Sequence, residues 1–170
     1  MTAADATDPI CYHLRMRWLR GLLAAVVTIS ALAVAATGSA APGCPPTVPD
    51  AFGPFGRGMP PVRASIGEGH VLTGVVVSSL DCKPIRGARV ELWQANAKGV
   101  YVRALSGTVI TDRNGRFRFQ GPYPAQYEGT PPHIHLRVIA PAHEVLLSRF
   151  IPAPRARRGS IKLVLVPQAV

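Results

Sequence analysis

The sequence predicts an all-β sandwich of about seven to eight short strands, and three features of the chain point to it. From Val71 onward, short runs rich in Val, Leu, Ile and Phe alternate with turn residues. No stretch of useful length carries a helical period. About seven such runs within roughly 100 residues is the density of a two-sheet sandwich. Strands are expected at 71–78, 88–94, 107–111, 116–120, 133–139, 145–151 and 161–166. The turns between them are explicit: Asp81-Cys82-Lys83-Pro84, Asp112-Arg113-Asn114-Gly115, Pro141-Ala142 and Arg158-Gly159. Trp93 and Phe119 are expected to face the core.

Residues 1–40 read differently. Arg15, Arg17 and Arg20 precede an apolar run over 21–36, and Thr37-Gly38-Ser39-Ala40-Ala41 follows with small residues. That layout is a secretory signal peptide with cleavage after Ala40, and Met16 would begin a more ordinary signal. An apolar run of about 16 residues is short for a membrane span of roughly 20. The expectation is export to the envelope, the periplasm or the medium, with membrane contact only through this segment. Lipid attachment at Cys44 is the lesser alternative, because Ala41-Pro42-Gly43-Cys44 is a weak lipobox. Residues 41–62 are rich in Pro and Gly and read as an extended arm, leaving 63–170 for the sandwich.

Export alters the meaning of the cysteines. Cys11 precedes or lies in the signal, so Cys44 and Cys82 remain, and outside a reducing compartment they are expected to pair. Two free thiols are the alternative. The formal charge of +10 and the pI near 10.6 suggest nucleic acid only superficially. The arginines are scattered, and the Arg155-Ala156-Arg157-Arg158 cluster lies between Pro154 and Gly159, as a turn would. No aromatic-interleaved basic stretch accompanies it. A solvated basic surface with attraction for acidic solutes is expected instead, and no nucleic-acid partner.

The chemistry starts at His133-Ile134-His135. On a strand, residues two apart share a face with Cα atoms about 6.5–7 Å apart, so both imidazoles can reach one metal while Ile134 turns to the core. An exposed pair with no ligand is the ordinary alternative. Tyr127, in the loop Pro124-Ala125-Gln126-Tyr127-Glu128-Gly129-Thr130-Pro131-Pro132, can fold back over that strand, and Tyr101 stands at another strand exit. A phenolate at neutral pH costs about 4 kcal/mol without help. A ferric ion supplies that help, and two phenolic oxygens with two imidazoles suit Fe(III) better than zinc. For each tyrosine the alternative is a half-buried ring with its hydroxyl in water.

Several ordered blocks resemble the catalytic domain of the intradiol ring-cleavage dioxygenases, the family of protocatechuate 3,4-dioxygenase and catechol 1,2-dioxygenase. They are Val90-Glu91-Leu92-Trp93-Gln94-Ala95-Asn96-Ala97-Lys98-Gly99-Val100-Tyr101, Thr111-Asp112-Arg113-Asn114-Gly115-Arg116-Phe117, Pro124-Ala125-Gln126-Tyr127 and Pro132-His133-Ile134-His135-Leu136. Cys82-Lys83-Pro84-Ile85-Arg86-Gly87-Ala88 and the arm's Gly53-Pro54-Phe55 fit too, so the likeness runs over about residues 50–151. It implies one mononuclear non-haem Fe(III) held by Tyr101, Tyr127, His133 and His135. It also implies a catechol-type substrate, O2 as co-substrate, and cleavage between the two hydroxylated carbons to a muconate-type diacid. Tyr127 would give way to the substrate and accept its proton. Tyr123 shares the loop, but Tyr127 matches the family's spacing without a gap.

Two departures set this chain apart from the pattern the likeness implies. Thr130 stands where the family has an arginine beside the substrate, and only nine residues separate Tyr101 from Thr111, which shortens a loop that walls the site. Arg149 falls on the following strand, where the family carries a glutamine; two readings stand, that it supplies the missing charge or that it points to solvent like the other arginines of this basic surface. A second function class remains open: a transthyretin-like or carboxypeptidase-regulatory-like sandwich that keeps the scaffold as an interaction module without catalysis. Bound iron with tyrosinate colour separates the two.

Overall fold

In a computed structural model of the chain, residues 43–50 and 58–169 are described; the segment expected to be a signal peptide, Cys11 and Gly53-Pro54-Phe55 lie outside them. Seven strands follow in order: β1 (His70–Ser78), β2 (Arg89–Ala95), β3 (Tyr101–Ile110), β4 (Arg116–Gly121), β5 (Ile134–Ile139), β6 (Leu146–Phe150) and β7 (Arg158–Leu165). They form a three-stranded sheet ordered β4-β1-β7 and a four-stranded sheet ordered β3-β2-β5-β6. Every pairing is antiparallel except β1 with β7. The protein is an all-β sandwich.

Alternation explains the core. Val90 and Leu92 on β2, Ile134, Leu136 and Val138 on β5, and Leu163 and Leu165 on β7 recur at two-residue spacing, and Leu72 and Val76 on β1 keep the same phase with Gly74 between them. Phe117 and Phe119 on β4 complete the cluster with both rings buried. Each fully buried aliphatic or aromatic side chain contributes roughly 1.5–3 kcal/mol relative to exposure.

Trp93 corrects one expectation. It is buried, at 4% exposure, but it is not part of the core cluster. Leu92 pairs with Leu136 on the inner face, so its neighbour Trp93, paired with His135, lies on the outer face of the four-stranded sheet. There the Arg137 guanidinium sits 5.3 Å from the Trp93 ring centroid. Fully buried Glu91, two residues back on the same face, pairs with Arg89 at 2.7 Å and Arg137 at 2.5 Å.

Two strands also begin earlier than expected. β3 starts at Tyr101, because a register shift between Trp93 and Ala95 lets Ala95 oppose Tyr101 across a tight turn. Arg63 ties down the new part of that strand, its Nε and Nη2 donating to the carbonyls of Ser106, Arg103 and Ala104 at 2.7–3.0 Å. β7 includes Arg158 and Gly159, which pair with Val71 and Leu72 in place of turning. The turn sits at Ala153 to Ala156, where Arg155 takes φ 59° and Ala156 N–H donates to Ala153 O at 3.0 Å. Gly159 serves close packing: a Cβ there would collide with the Phe150 ring.

The segments before β1 cover sheet edges. Thr47 N–H donates to Val164 O on β7, and Asp50 N–H donates to Leu147 O on β6. Further on, Arg63 and Pro61 bond to Thr108 of β3, and Ile66 and Ala64 to Gln120 of β4. All four edge strands thus have backbone groups satisfied by this stretch, which removes open templates for edge-to-edge association. Cys44 is disulfide-bonded to Cys82, with Cα atoms 5.2 Å apart.

Candidate metal centre

The outer face of the four-stranded sheet carries the residues of interest at one end of β5. His135 is the second residue of β5, and His133 precedes the strand by one position, so both rings project to the same side. Exposures of 3% for His133 and 1% for His135 make them the buried floor. Tyr101, the first residue of β3, and Tyr127, from the β4–β5 loop, are half-buried above them.

Local chemistry fixes each ring. The turn before Tyr101 is organised by Asn96, whose Oδ1 accepts the N–H groups of Lys98 at 2.9 Å and Val100 at 3.0 Å. Gly99 in that turn has φ 74°, and a Cβ on it would lie 2.9 Å from the Tyr127 ring. Glycine therefore meets two demands there, a left-handed backbone and space for the ring. Tyr127 opens a tight turn of its own: Thr130 N–H donates to Tyr127 O at 2.8 Å, with Glu128 and Gly129 both at positive φ. His133 Nδ1 lies 2.8 Å from Pro131 O. A carbonyl only accepts, so Nδ1 carries the proton and Nε2 presents a lone pair to the cluster.

Four atoms converge. Tyr101 Oη is 2.6 Å from Tyr127 Oη, 3.2 Å from His133 Nε2 and 2.9 Å from His135 Nε2. His133 Nε2 is 3.1 Å from His135 Nε2 and 3.4 Å from Tyr127 Oη. Two phenols and at most one imidazole N–H bring three protons to these five contacts. The remaining contacts set lone pair against lone pair, which an electrophile between them relieves. Ligands bound at about 2 Å sit roughly 2.8 Å apart at right angles and roughly 3.3 Å apart at tetrahedral angles, the range seen here. The donor set fits one metal ion. Among the described residues, no three His, Cys, Asp or Glu gather as a metal-holding group, so phenolic oxygen is integral to this one.

Electrostatics favour neutral side chains here when no cation is present. Burial, the hydrogen bond with Tyr127 and repulsion from a Tyr127 phenolate hold the Tyr101 phenol above its ordinary value, with Arg149 opposing. Burial, then His133 and Arg149, pushes His135 down to about 4, with Asp50 opposing. A strong Lewis acid reverses the first of these preferences, since it stabilises phenolate directly.

Arg149 lies on β6 in register with His135. Its Nε is 2.8 Å from Asp50 Oδ2, so its charge is held at the site's margin by the arm. Thr130 closes the Tyr127 turn through its backbone. Tyr123 is engaged elsewhere, its hydroxyl donating to Ala153 O at 3.1 Å and its ring edge-on to His70. Asn96 and Gly99 acquire positioning roles that their spacing before Tyr101 could have suggested. Asp50 had no such signal, because its partner is remote in sequence.

A dioxygenase family model matches residues 59–151. Among curated proteins, 6-chlorohydroxyquinol 1,2-dioxygenase of Cupriavidus pinatubonensis is 29% identical over 177 residues, covering 84% of this chain and 62% of the relative. Catechol 1,2-dioxygenase of Candida albicans is 31% identical over 104 residues, covering 45% of this chain and 34% of the relative. The chain thus spans less than two thirds of the length of either relative. The dioxygenase domain of a dioxygenase and carbohydrate-binding fusion protein from Streptomyces sp. SirexAA-E superposes with TM-score 0.64 at 25% identity, covering 73% of this chain and 100% of that one. An intradiol ring-cleavage dioxygenase from Tetranychus urticae shares the fold with TM-score 0.64 at 21% identity, covering 74% of this chain and 97% of that one.

Proposed function

Because the chain belongs to the intradiol ring-cleavage dioxygenase family, we propose that it cleaves a catechol-type ring with O2 between the two hydroxylated carbons, releasing a muconate-type diacid. Tyr101, Tyr127, His133 and His135 would hold one non-haem Fe(III). The observation that carries this proposal is the convergence of their four donor atoms, at separations of 2.6–3.4 Å. Bound there, a ferric ion would supply Lewis acidity and a template for the substrate oxygens.

The residues divide the work by how firmly each is held. The histidines are buried, and His133 is locked in its tautomer by Pro131 O, so both act as fixed donors. Tyr101 leads a strand and meets three partners within 3.2 Å. Tyr127 comes from a loop and keeps one short contact, with a second at 3.4 Å. Tyr127 is therefore the group that can swing aside and accept a proton from the incoming catechol hydroxyl. Arg149, opposite His135, contributes the positive charge that Thr130 lacks, near where negative charge develops on the substrate.

Metal content, visible spectrum and O2 uptake of the purified protein, with and without catechols, test the proposal. About one iron per chain, a tyrosinate-to-iron band that shifts on adding catechol, and a ring-opened diacid are expected. Iron that binds without any ring cleavage would leave a non-catalytic module as the better description.

A further inference from the structure

The three-stranded sheet has an outer face of its own, on the opposite side of the sandwich from the metal cluster. Its side chains form a grid set by strand register. Val71 lies between Gln120 and Arg158, Thr73 between Arg118 and Ser160, and Val75 between Arg116 and Lys162. Arg116, Arg118, Arg158 and Lys162 are all exposed, and no acidic side chain occupies a position in this grid. Among the described residues none of the four forms an ion pair, whereas Arg89, Arg137, Arg149 and Lys83 each do. Two shallow grooves, of about 440 Å³ and about 200 Å³, run between the cation columns over Thr73.

Arg116 and Arg118 stand two apart on β4, and Arg158 and Lys162 flank the same β1 strand from β7, so four cations without an ion pair share one face and repel one another through water. A bound polyanion would remove that repulsion. We infer that this face is a docking surface for an acidic polysaccharide, a polyuronate whose carboxylates meet the four cations. The polar groups between the cations decide the class of partner. Ser160 lies among the charges; Thr73 Oγ1 donates to Gly159 O at 3.2 Å and Gln120 Oε1 accepts from Arg118 Nη2 at 2.9 Å, which leaves the Thr73 lone pairs and the Gln120 amide N–H groups to meet sugar hydroxyls, while the guanidinium groups pair with carboxylates in two-point fashion. No aromatic side chain stands in the grid for nucleobases to stack on. Its apolar members, Val71 and Val75, are half-buried in the middle row and too short to enter a bilayer. Docking here leaves the metal cluster facing away from the polymer.

Affinity electrophoresis of the purified protein in gels containing polygalacturonate, repeated across salt concentrations, tests the inference. The Arg118→Gln/Lys162→Gln variant is compared with Arg86→Gln/Lys98→Gln, which removes the same charge from exposed loops elsewhere. Binding by the parent, at least tenfold weaker binding and a shallower salt dependence in the first variant, and affinity within twofold of the parent in the second are the expected results. Thermal melting confirms that both variants are folded. The inference is overturned if the two variants lose affinity equally, which would make net charge the cause. It is also overturned if neutral dextran retards the protein as strongly, or if duplex DNA or anionic vesicles compete it off polygalacturonate at lower charge concentration.

Discussion

Tyr123 and Tyr127 lie in one loop, yet their hydroxyls meet different chemistry: a lone carbonyl for Tyr123, a phenol and an imidazole for Tyr127. Tyr127→Phe is therefore expected to shift and weaken the visible band of the iron-loaded protein, while Tyr123→Phe leaves it nearly intact. The reverse pattern would move the ligand assignment to Tyr123. Gly99→Ala should shift the same band without touching a donor atom. A methyl group there meets the Tyr127 ring at 2.9 Å and strains a backbone at φ 74°. An unchanged spectrum in Gly99→Ala would mean the ring is not held by that turn. Arg149 makes a separate prediction, because it acts on the cluster through its charge while its Nε is paired with Asp50. Arg149→Ala should lower turnover of catechol at least tenfold, about 1.4 kcal/mol in the barrier, with iron content and visible band unchanged. Turnover equal to the parent's would assign the guanidinium to Asp50 alone.

Turns and registers decide how much a strand pattern reveals. The Asp112 turn was legible because its chemistry is local. Asp112 Oδ1 accepts the N–H groups of Asn114 and Arg116, each at 2.8 Å, which holds the carboxyl below its ordinary value. A depressed folded pKa means the carboxylate stabilises the fold above its unfolded value near 3.9, and that this contribution is lost as pH falls through the folded value. Asp112→Asn should therefore melt below the parent at pH 7, with the difference closing once pH drops well under 4. A gap that persists at pH 2 would indicate a packing cause. The start of β3 is hidden for a non-local reason: the register shift between Trp93 and Ala95 leaves exposed Val102, Arg103 and Ala104 outside the paired register, and Arg63, remote in sequence, holds the carbonyls of Arg103 and Ala104. Arg158-Gly159 looked like a turn because glycine serves close packing as well as turning, and only the Phe150 ring tells the two apart. Trp93 was assigned to the core on hydrophobicity. Its register with Glu91 pointed outward, and the buried outer face is what reconciles the two.

The four side chains that converge at the end of β5 are legible in the sequence because each stands in a short motif with its own local geometry, whereas the way the chain is tied together is not. The stretch around Cys44 runs from the disulfide with Cys82, past Val164 on β7, to Leu147 on β6, and ends with Asp50 against Arg149. One continuous segment thus links the two sheets and the margin of the proposed active site. The hydrogen bonds along it, backbone and side chain, are individually modest at roughly 0.5–1.5 kcal/mol. The disulfide is its covalent anchor, closing a sequence separation of 38 residues, for which chain entropy alone suggests about 4 kcal/mol. Replacing both cysteines, Cys44→Ser with Cys82→Ser, should lower the urea midpoint by the equivalent of about 2–4 kcal/mol and make the slope somewhat steeper, because the unfolded chain without its cross-link exposes more surface. The same variant should lose part of the turnover that depends on Arg149 while keeping its iron, since the arm that holds Asp50 in place is released at its root. Combining it with Arg149→Ala separates the two effects. If the arm acts through Arg149, the cysteine replacements cost stability in that background but lower turnover no further. An unchanged urea midpoint in the cysteine variant would instead show that the Thr47 and Asp50 contacts hold the segment on their own.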